Sequence, residues 1–368
     1  MKVLVAGGGT AGHVSPALAL ARRLRDAHGA EVRFAGTRTG QEARLVPQAG
    51  FPFDPVDARP LRRDLSFETL AATVAAVRAV TACRPLVERA DVVVGMGGYV
   101  SVPVGLAAAR ARRPLVIHEQ NAVPGLANRL LARRARTVAL TFGEAATRLP
   151  RRARTVLTGL PVRPEFVTAL AERDALAEQA RTEFGLERGR RTIVLTGGSQ
   201  GALHVDMAGI DAIAILRERP DLQVLFIAGA SHEHTVAGSV SPGDMPVRVC
   251  GFLERMDLAY TLADLAVARA GASTCAELSV CGLPAVLVPY PHATGGHQEA
   301  NARALERAGG ARVILDPDLT GGSLASAVSD LMGDEMLLRA MAERMRSWSR
   351  PDAAEALARV VLEAGEER

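Results

Sequence analysis

The feature that most limits what this chain can fold into is a pattern that occurs twice: a short apolar run, a glycine-rich turn, then a segment of helical period. It appears first as Val5-Ala6-Gly7-Gly8-Gly9-Thr10-Ala11-Gly12-His13 and again as Leu195-Thr196-Gly197-Gly198-Ser199-Gln200-Gly201-Ala202. Glycines at such a turn let the backbone tighten and come close to a neighbour or a bound group. Elsewhere, short runs rich in Val, Leu and Ile alternate with Ala/Leu/Arg segments, the arrangement of βαβ units on parallel sheets. Strands are expected at 3–6, 32–36, 92–95, 115–118, 138–141 and 156–159, then at 192–196, 223–228, 247–251, 265–268, 284–289 and 312–315. The fold class that follows is α/β, with two Rossmann-like, doubly wound parallel-sheet domains.

A length of 368 residues agrees, because it exceeds what one hydrophobic core usually serves. The stretch Gly159-Leu160-Pro161-Val162-Arg163-Pro164 opposes helix and is the natural junction. The domains are therefore expected at 1–163 and 164–347. A tail at 348–368, set off by Trp348-Ser349-Arg350-Pro351, is expected to pack back on the first domain.

No run of 18 apolar residues occurs, so no membrane-spanning helix is expected. The N-terminus runs into glycines without a cleavable signal pattern. Cys83, Cys250, Cys275 and Cys281 form no CxxC pair and no zinc spacing, which suits free thiols in a reducing cytoplasm.

Charge is distributed unevenly. Through Arg163 there are 25 basic and 11 acidic residues, +14; beyond it there are 19 and 29, −10. A basic half facing a polyanion is one reading, and arginines solvated on helix faces is the other. No zinc finger, RNP-type motif or lysine tail accompanies the charge, so an anionic membrane surface is favoured and no nucleic acid is expected. Leu65, Phe67, Leu70, Val74 and Val77, with Arg62, Arg63, Arg78 and Arg84, form an amphipathic segment suited to such a surface, or an ordinary helix with a buried stripe.

Gly7-x-Gly9-x-x-Gly12 matches the dinucleotide fingerprint formally. The second strand, however, ends Ala35-Gly36-Thr37 and carries its acid, Glu31, at the wrong end for a ribose. No GxxxxGK[ST] loop occurs either. Asp316-Pro317-Asp318 fits a DxD metal pattern superficially but reads as a turn, and His232-x-His234 lacks a third ligand. No metal and no cofactor are expected.

Five stretches stand in an order that resembles the MurG family: Gly8-Gly9-Thr10-Ala11-Gly12-His13, Gly97-Gly98-Tyr99-Val100-Ser101, His118-Glu119-Gln120-Asn121, Gly197-Gly198-Ser199-Gln200-Gly201-Ala202, and Arg269-Ala270-Gly271-Ala272-Ser273-Thr274-Cys275-Ala276-Glu277. That family comprises the undecaprenyl-diphospho-muramoylpentapeptide N-acetylglucosaminyltransferases of peptidoglycan synthesis, and the similarity spans essentially the whole chain. The resemblance implies a GT-B fold, two domains facing a cleft. It implies inverting transfer of N-acetylglucosamine from UDP-N-acetylglucosamine to the C4 hydroxyl of lipid I, giving lipid II.

The implied partners are the UDP-sugar, a polyprenyl-diphosphate-linked acceptor, an anionic membrane surface and other cell-wall synthesis proteins. The implied place is peripheral, on the cytoplasmic face of the cell membrane, with roles in cell shape and division. A related GT-B enzyme with another lipid or lipoglycopeptide acceptor, or a noncatalytic nucleotide-sugar scaffold, are the alternatives. Retention of His13, Glu119, Glu277 and Gln298 favours an enzyme.

Carried over position by position, the resemblance makes Thr10, Ala11, Gly12, Asn121, Arg163, Ser199, Leu253, Ala272, Ser273, Thr274, Glu277 and Gln298 donor-binding. Ser199 would meet the phosphates, Leu253 the uracil, Glu277 the ribose hydroxyls and Gln298 the transferred sugar. Glu277 has a competing reading as half of a Thr274-x-x-Glu277 capping box. Leu160 replaces the Asn common in the family, so that side chain's contact is absent. Tyr99 and Asn128 match acceptor positions. His13 is the candidate base, its alternative being helix packing or a phosphate hydrogen bond; Glu119 is the rival base, or else a group that orients nearby amides.

Overall fold

The computed structural model describes residues 1–8, 11–58, 69–198, 201–240 and 243–367. Thr10, Ser199 and the amphipathic residues Arg62, Arg63, Leu65 and Phe67 lie outside them. The chain divides into two compact units, Met1–Arg163 with Pro351–Arg368, and Pro164–Arg350.

The first unit holds β1 (Lys2–Ala6), β2 (Glu31–Gly36), β3 (Phe53–Pro55), β4 (Val92–Gly95), β5 (Leu115–Glu119), β6 (Thr137–Leu140) and β7 (Thr155–Leu157). The second holds β8 (Arg191–Thr196), β9 (Leu222–Ile227), β10 (Val247–Cys250), β11 (Leu265–Ala268), β12 (Ala285–Leu287) and β13 (Ala311–Val313). Their sheets run β3-β2-β1-β4-β5-β6-β7 and β10-β9-β8-β11-β12-β13. Each neighbouring pair is parallel.

These runs become strands because both faces of each sheet are covered. Val3 and Val5 pack on one side of the first sheet with Leu20, Leu24, Val92 and Val94. Leu4 and Ala6, one residue out of step, pack on the other with Cys83, Val93, Val104 and Ile117. A period of two with both sets apolar is the signature of a sheet buried on both faces. In each sheet the order reverses beside the first strand, between β1 and β4 and between β8 and β11. Connections leave such neighbours toward opposite faces, so a crevice opens at the strands' carboxyl ends.

The twelve strands expected from apolar runs are present, each within a few residues of its expected limits. β3 was not expected. It is three residues long, Phe-Asp-Pro, and sits at the sheet edge, where Pro costs no ladder bond and no apolar run is needed. All four cysteines are free. No helix of the described residues is long and apolar enough to cross a membrane.

The helix Glu335–Trp348 ends before Pro351, and the next, Ala353–Glu366, belongs to the first unit. Leu357, Ala358 and Val361 are fully buried there among β1 and β4 side chains. Glu355 fastens this helix to the helix Ala11–His28, at 2.6 Å from Arg23 Nε and 3.1 Å from His28 Nε2, while Arg359 reaches it at 2.7 Å. These donors, Arg23 foremost, pull the Glu355 carboxyl down to about 2. A depressed carboxyl contributes stability above its unfolded titration range and loses it as pH falls toward the folded value. Glu355→Gln should therefore unfold at a lower temperature than the parent at pH 7. The gap should narrow as pH falls below about 4.5, which thermal melts across a pH series would measure.

Candidate functional site

At the first switch point the turns after β1 and β4 press together. A Cβ at Gly98 would stand 2.6 Å from the Gly8 carbonyl oxygen, and one at Gly7 would stand 2.8 Å from Met96 Cβ. Gly97 and Gly98 have φ of 91° and 77°, which L side chains rarely adopt. The half-buried His13, in the first turn of the helix Ala11–His28, lies against this turn: a Cβ at Gly97 would be 3.0 Å from its Cδ2 and 3.2 Å from its Nε2. Ser101 Oγ joins the two turns, 3.0 Å from the Ala6 carbonyl oxygen and 2.7 Å from that of Gly97. Tyr99 is half-buried beside it, and Gly12 is exposed.

An acid that sequence reasoning passed over supports the first turn from below. Glu42 is 1% exposed and accepts from Thr37 N–H at 2.9 Å and Thr37 Oγ1 at 2.8 Å. A Cβ at Gly8, Gly36 or Gly40 would overlap its side chain. The only sequence signal was those three glycines converging on one carboxylate, and their convergence needs the fold to be seen.

Glu119 ends β5 and is 2% exposed. Its Oε1 accepts from Asn121 N–H at 2.9 Å; its Oε2 accepts from Gly125 N–H at 3.0 Å and Asn128 Nδ2 at 2.8 Å. Burial pushes its carboxyl above the ordinary range, and the donors work against that shift. This is the geometry of a group that orients amides. Asn128, matched to the acceptor, is buried with its amide turned inward to Glu119 and to the His118 carbonyl oxygen at 3.1 Å. His118 is fully buried, donates to the Gly159 carbonyl oxygen at 2.9 Å, and is pushed down to about 4 by burial, hence neutral. Gln120 Nε2 reaches the Met96 carbonyl oxygen at 3.1 Å, tying the β5 and β4 turns. Arg163, the last residue of this unit's first segment, is half-buried.

In the second unit the helix Ala272–Cys281 follows β11 with Gly271 as its N-cap. Thr274 is thus the third helical residue and cannot be the cap, which removes the Thr274/Glu277 capping box. Ala272, Cys275 and Leu278 point inward, while Ser273, Thr274 and Glu277 are half-exposed at i, i+3 and i+4 spacings and share one face. Gln298 is the second residue of the helix His297–Arg307, and its Oε1 accepts from Tyr290 N–H at 2.9 Å. Leu253 is half-buried after β10, beside Phe252, which is 64% exposed.

Arg269 knits this edge together. Its Nη1 reaches the carbonyl oxygens of Val288 and Pro289 at 3.3 Å each and ion-pairs with Asp316 Oδ2. Asp316 Oδ1 receives His204 Nδ1 at 2.8 Å. Burial opposes ionisation of Asp316, yet His204 and Arg269 outweigh it and hold the carboxyl below its ordinary range. Both carboxylate oxygens of Asp316, the first acid of the DxD candidate, are therefore engaged, by Arg269 and His204, and Asp316-Pro317-Asp318 is a single 3-10 turn. Of the amphipathic segment, Leu70 and Val74 fall on the helix Thr69–Glu88, where Val77 is 53% exposed and Arg84 pairs with Glu88 at 2.6 Å.

Two doubly wound units, each with a glycine-rich turn after its first strand, are the make-up of a nucleotide-sugar transferase of the GT-B class. The comparisons agree. Residues 3–140 match the glycosyltransferase family 28 N-terminal domain and residues 192–357 its C-terminal domain. A UDP-N-acetylglucosamine–N-acetylmuramyl-(pentapeptide) pyrophosphoryl-undecaprenol N-acetylglucosamine transferase of Moorella thermoacetica is 43% identical over 371 residues, covering 98% of each chain. The crystal structure of Acinetobacter baumannii MurG superposes with a TM-score of 0.81 at 30% identity, covering 98% of this chain and 99% of that one. A UDP-GlcNAc 2-epimerase from Neisseria meningitidis, at 12% identity and TM-score 0.68 over 99% and 100% of the chains, shares the fold alone. The chain belongs to glycosyltransferase family 28 and, within it, to the MurG family.

If Glu119 orients the 121–128 turn, Glu119→Gln places an amide N–H₂ opposite existing N–H donors. Expected is a loss of about 1–3 kcal/mol in unfolding free energy, read by denaturant melts at pH 7. An unchanged stability would return Glu119 to the bases.

Proposed function

We propose that this chain is an inverting hexosyltransferase that moves N-acetylglucosamine from UDP-N-acetylglucosamine to the C4 hydroxyl of lipid I, giving lipid II for peptidoglycan synthesis. The observation that carries the reading is 43% identity to a relative of that name across 98% of both chains. In an inverting transfer a base removes the hydroxyl proton, the freed oxygen attacks the sugar C1, and the C1–O bond to the diphosphate breaks as UDP departs.

His13 is assigned as the base. It is half-buried at the first switch point, held against Gly97, and an imidazole is mostly neutral near physiological pH. Glu119 is assigned as the positioning residue of the 121–128 turn, because its oxygens are occupied by Asn121, Gly125 and Asn128. The donor is assigned to the second unit. There Glu277 would accept from ribose hydroxyls, with Ser273 and Thr274 on the same helix face, and the first-turn amides of Ala272–Cys281 would meet the diphosphate. Gln298 has its oxygen engaged by Tyr290, leaving its amide N–H groups for the sugar. The reading includes no metal, since Asp316 is paired to Arg269 and His204.

Labelled UDP-N-acetylglucosamine and a short-chain lipid I analogue should yield a disaccharide product. His13→Ala should lower kcat by roughly 10²- to 10⁴-fold at saturating substrates while melting temperature and UDP affinity stay near the parent's. If kcat is retained, His13 is not the base.

The lipid-linked acceptor requires membrane contact, and the +14 balance through Arg163 suits an anionic surface on the cytoplasmic side. Vesicle co-sedimentation should rise with anionic lipid content and fall with added salt, as screening over about 8 Å at physiological ionic strength dictates. Equal binding to neutral vesicles would remove the electrostatic contribution. Roles in cell shape and division, and contacts with other wall-synthesis proteins, follow from the same reading.

A further inference from the structure

The turns that feed the first sheet at its strands' amino ends carry charge that the reaction just described does not use. Strands β4, β5 and β6 are adjacent and parallel, so their amino ends share one edge, opposite the edge of His13 and Glu119. A pocket of about 590 Å³ opens there, wholly within the first unit. Arg112 and Arg113, from the turn before β5, line it with Arg134 and Arg136, from the turn before β6, and its carboxylates are Asp91 and Glu367. Four guanidiniums thus face two carboxylates.

Half of this charge is spent on the protein itself. Arg113 Nη2 donates to the Glu88 carbonyl oxygen at 2.8 Å, and Arg136 holds the carboxylate and the carbonyl oxygen of Glu367. Asp91 accepts from Lys2 N–H at 2.8 Å. Arg112 and Arg134 are exposed, and their guanidiniums meet no hydrogen-bond or ion-pair partner among the described residues.

Helices also end on this edge, and cations commonly offset the carbonyl end of a helix dipole. The second unit shows that the turn does not need them. There the helix Ala272–Cys281 leads through Gly282-Leu283-Pro284 into β12; here the helix Ser101–Arg110 leads through Arg112-Arg113-Pro114 into β5, the strand at the equivalent place in the sheet order. The closing bond is the same, Leu283 N–H to the Leu278 carbonyl oxygen and Arg113 N–H to that of Ala108, both at 2.9 Å. The left-handed residue is Gly282 in one turn, with φ of 62°, and Arg112 in the other, with φ of 54°. Arg112 is the only non-glycine residue with positive φ among those described. A side chain there costs backbone energy that glycine avoids, so this guanidinium answers to something the turn itself does not require.

We propose that this pocket is a second anion site, which takes a soluble oligophosphate between Arg112 and Arg134. Guanidinium forks match phosphate oxygens two at a time and stay charged throughout the physiological range. A phosphorylated lipid headgroup has the same chemistry, but under the proposed reaction the lipid-linked acceptor brings the membrane to the edge of His13. The pocket lies a strand's length away, roughly 15 Å at about 3.3 Å per residue. Only that exclusion of lipid rests on the proposed function.

The test is isothermal calorimetry of inorganic tripolyphosphate into the full chain at fixed ionic strength, with saturating UDP present so that the donor's diphosphate subsite is already filled. Expected is saturable binding at one site, weakened about tenfold or more by R112G and by R134Q, as loss of a charge-assisted contact dictates. R112G keeps the left-handed backbone, so without ligand it should melt no lower than the parent, and its lost binding is not lost folding. R133Q removes the same charge from an exposed neighbour that does not line the pocket, and should bind as the parent does. No binding by the parent, or binding that R133Q weakens as much as R112G does, overturns the proposal. Co-sedimentation with phosphatidylglycerol vesicles separates the two phosphate sources. It should be unchanged when R112G and R134Q are combined; vesicle binding lost in that double variant assigns the pocket to a headgroup and overturns the soluble ligand. UDP that fails to bind counts against the donor assignment alone, and the comparison of R112G with R133Q still decides this site.

Discussion

The turn after β1 passes so close to the turn after β4 that no side chain fits between them, and the rest of the first unit's edge is arranged around that approach. Gly98 leaves no room for a Cβ beside the Gly8 carbonyl, nor Gly7 beside Met96, and Gly97 borders His13. The approach is possible because β1 and β4 are adjacent parallel strands whose connections leave in opposite directions. Its consequence is placement. A histidine one turn into a helix is brought against a backbone whose conformation is fixed by two positive-φ glycines, so the imidazole gains a rigid neighbour.

Rigidity at this kind of edge comes from carboxylates that are buried or, at Asp316, half-buried. Glu42 lies under the first turn, Glu119 under the 121–128 turn, Asp206 against His232 in the helix that follows the second glycine-rich turn, and Asp316 beyond β13. A carboxylate can accept several donors at once, and a turn that satisfies it loses freedom before any ligand arrives. Catalysis gains from such pre-ordering, because donors already aimed need no reorganisation during the reaction. Burial raises the carboxyls of Glu119 and Asp206, which measures the desolvation that their partners must offset.

Apolar runs were legible because a strand buried on both faces has little choice but Val, Ile and Leu. Val92-Val93-Val94 is fully buried and reads as a strand without any neighbour in view. β3 escaped because an edge strand of three residues carries no such run. The glycine turns were legible through spacing, but what they touch was not: Glu42 meets Gly8 across 34 residues of chain, and His232 meets Gly201 across 31. Thr274-x-x-Glu277 satisfied a capping pattern locally, yet the preceding Gly271 starts the helix earlier, so the pattern was spent on a helix face. Arg269 stood inside a recognised motif, but its grip on Asp316 and on the Val288 and Pro289 carbonyls depends on β11, β12 and β13 lying side by side.

The two edges solve the same anchoring problem with different donors. In the first unit Glu42 accepts from a backbone amide and the hydroxyl of Thr37, and Glu119 from the amides of Asn121, Gly125 and Asn128; in the second, Asp206 and Asp316 are held by His232, His204 and Arg269. This is the reverse of the bulk charge, +14 through Arg163 and −10 beyond it. Under the proposed reaction the difference has a reason. An acceptor hydroxyl needs a neutral base and oriented amides, whereas a departing diphosphate needs cations whose charge is not wholly cancelled by their partners. Bulk charge is set by solvated side chains, where a surplus of either sign costs little, while charge at a binding edge is set by a few desolvated contacts.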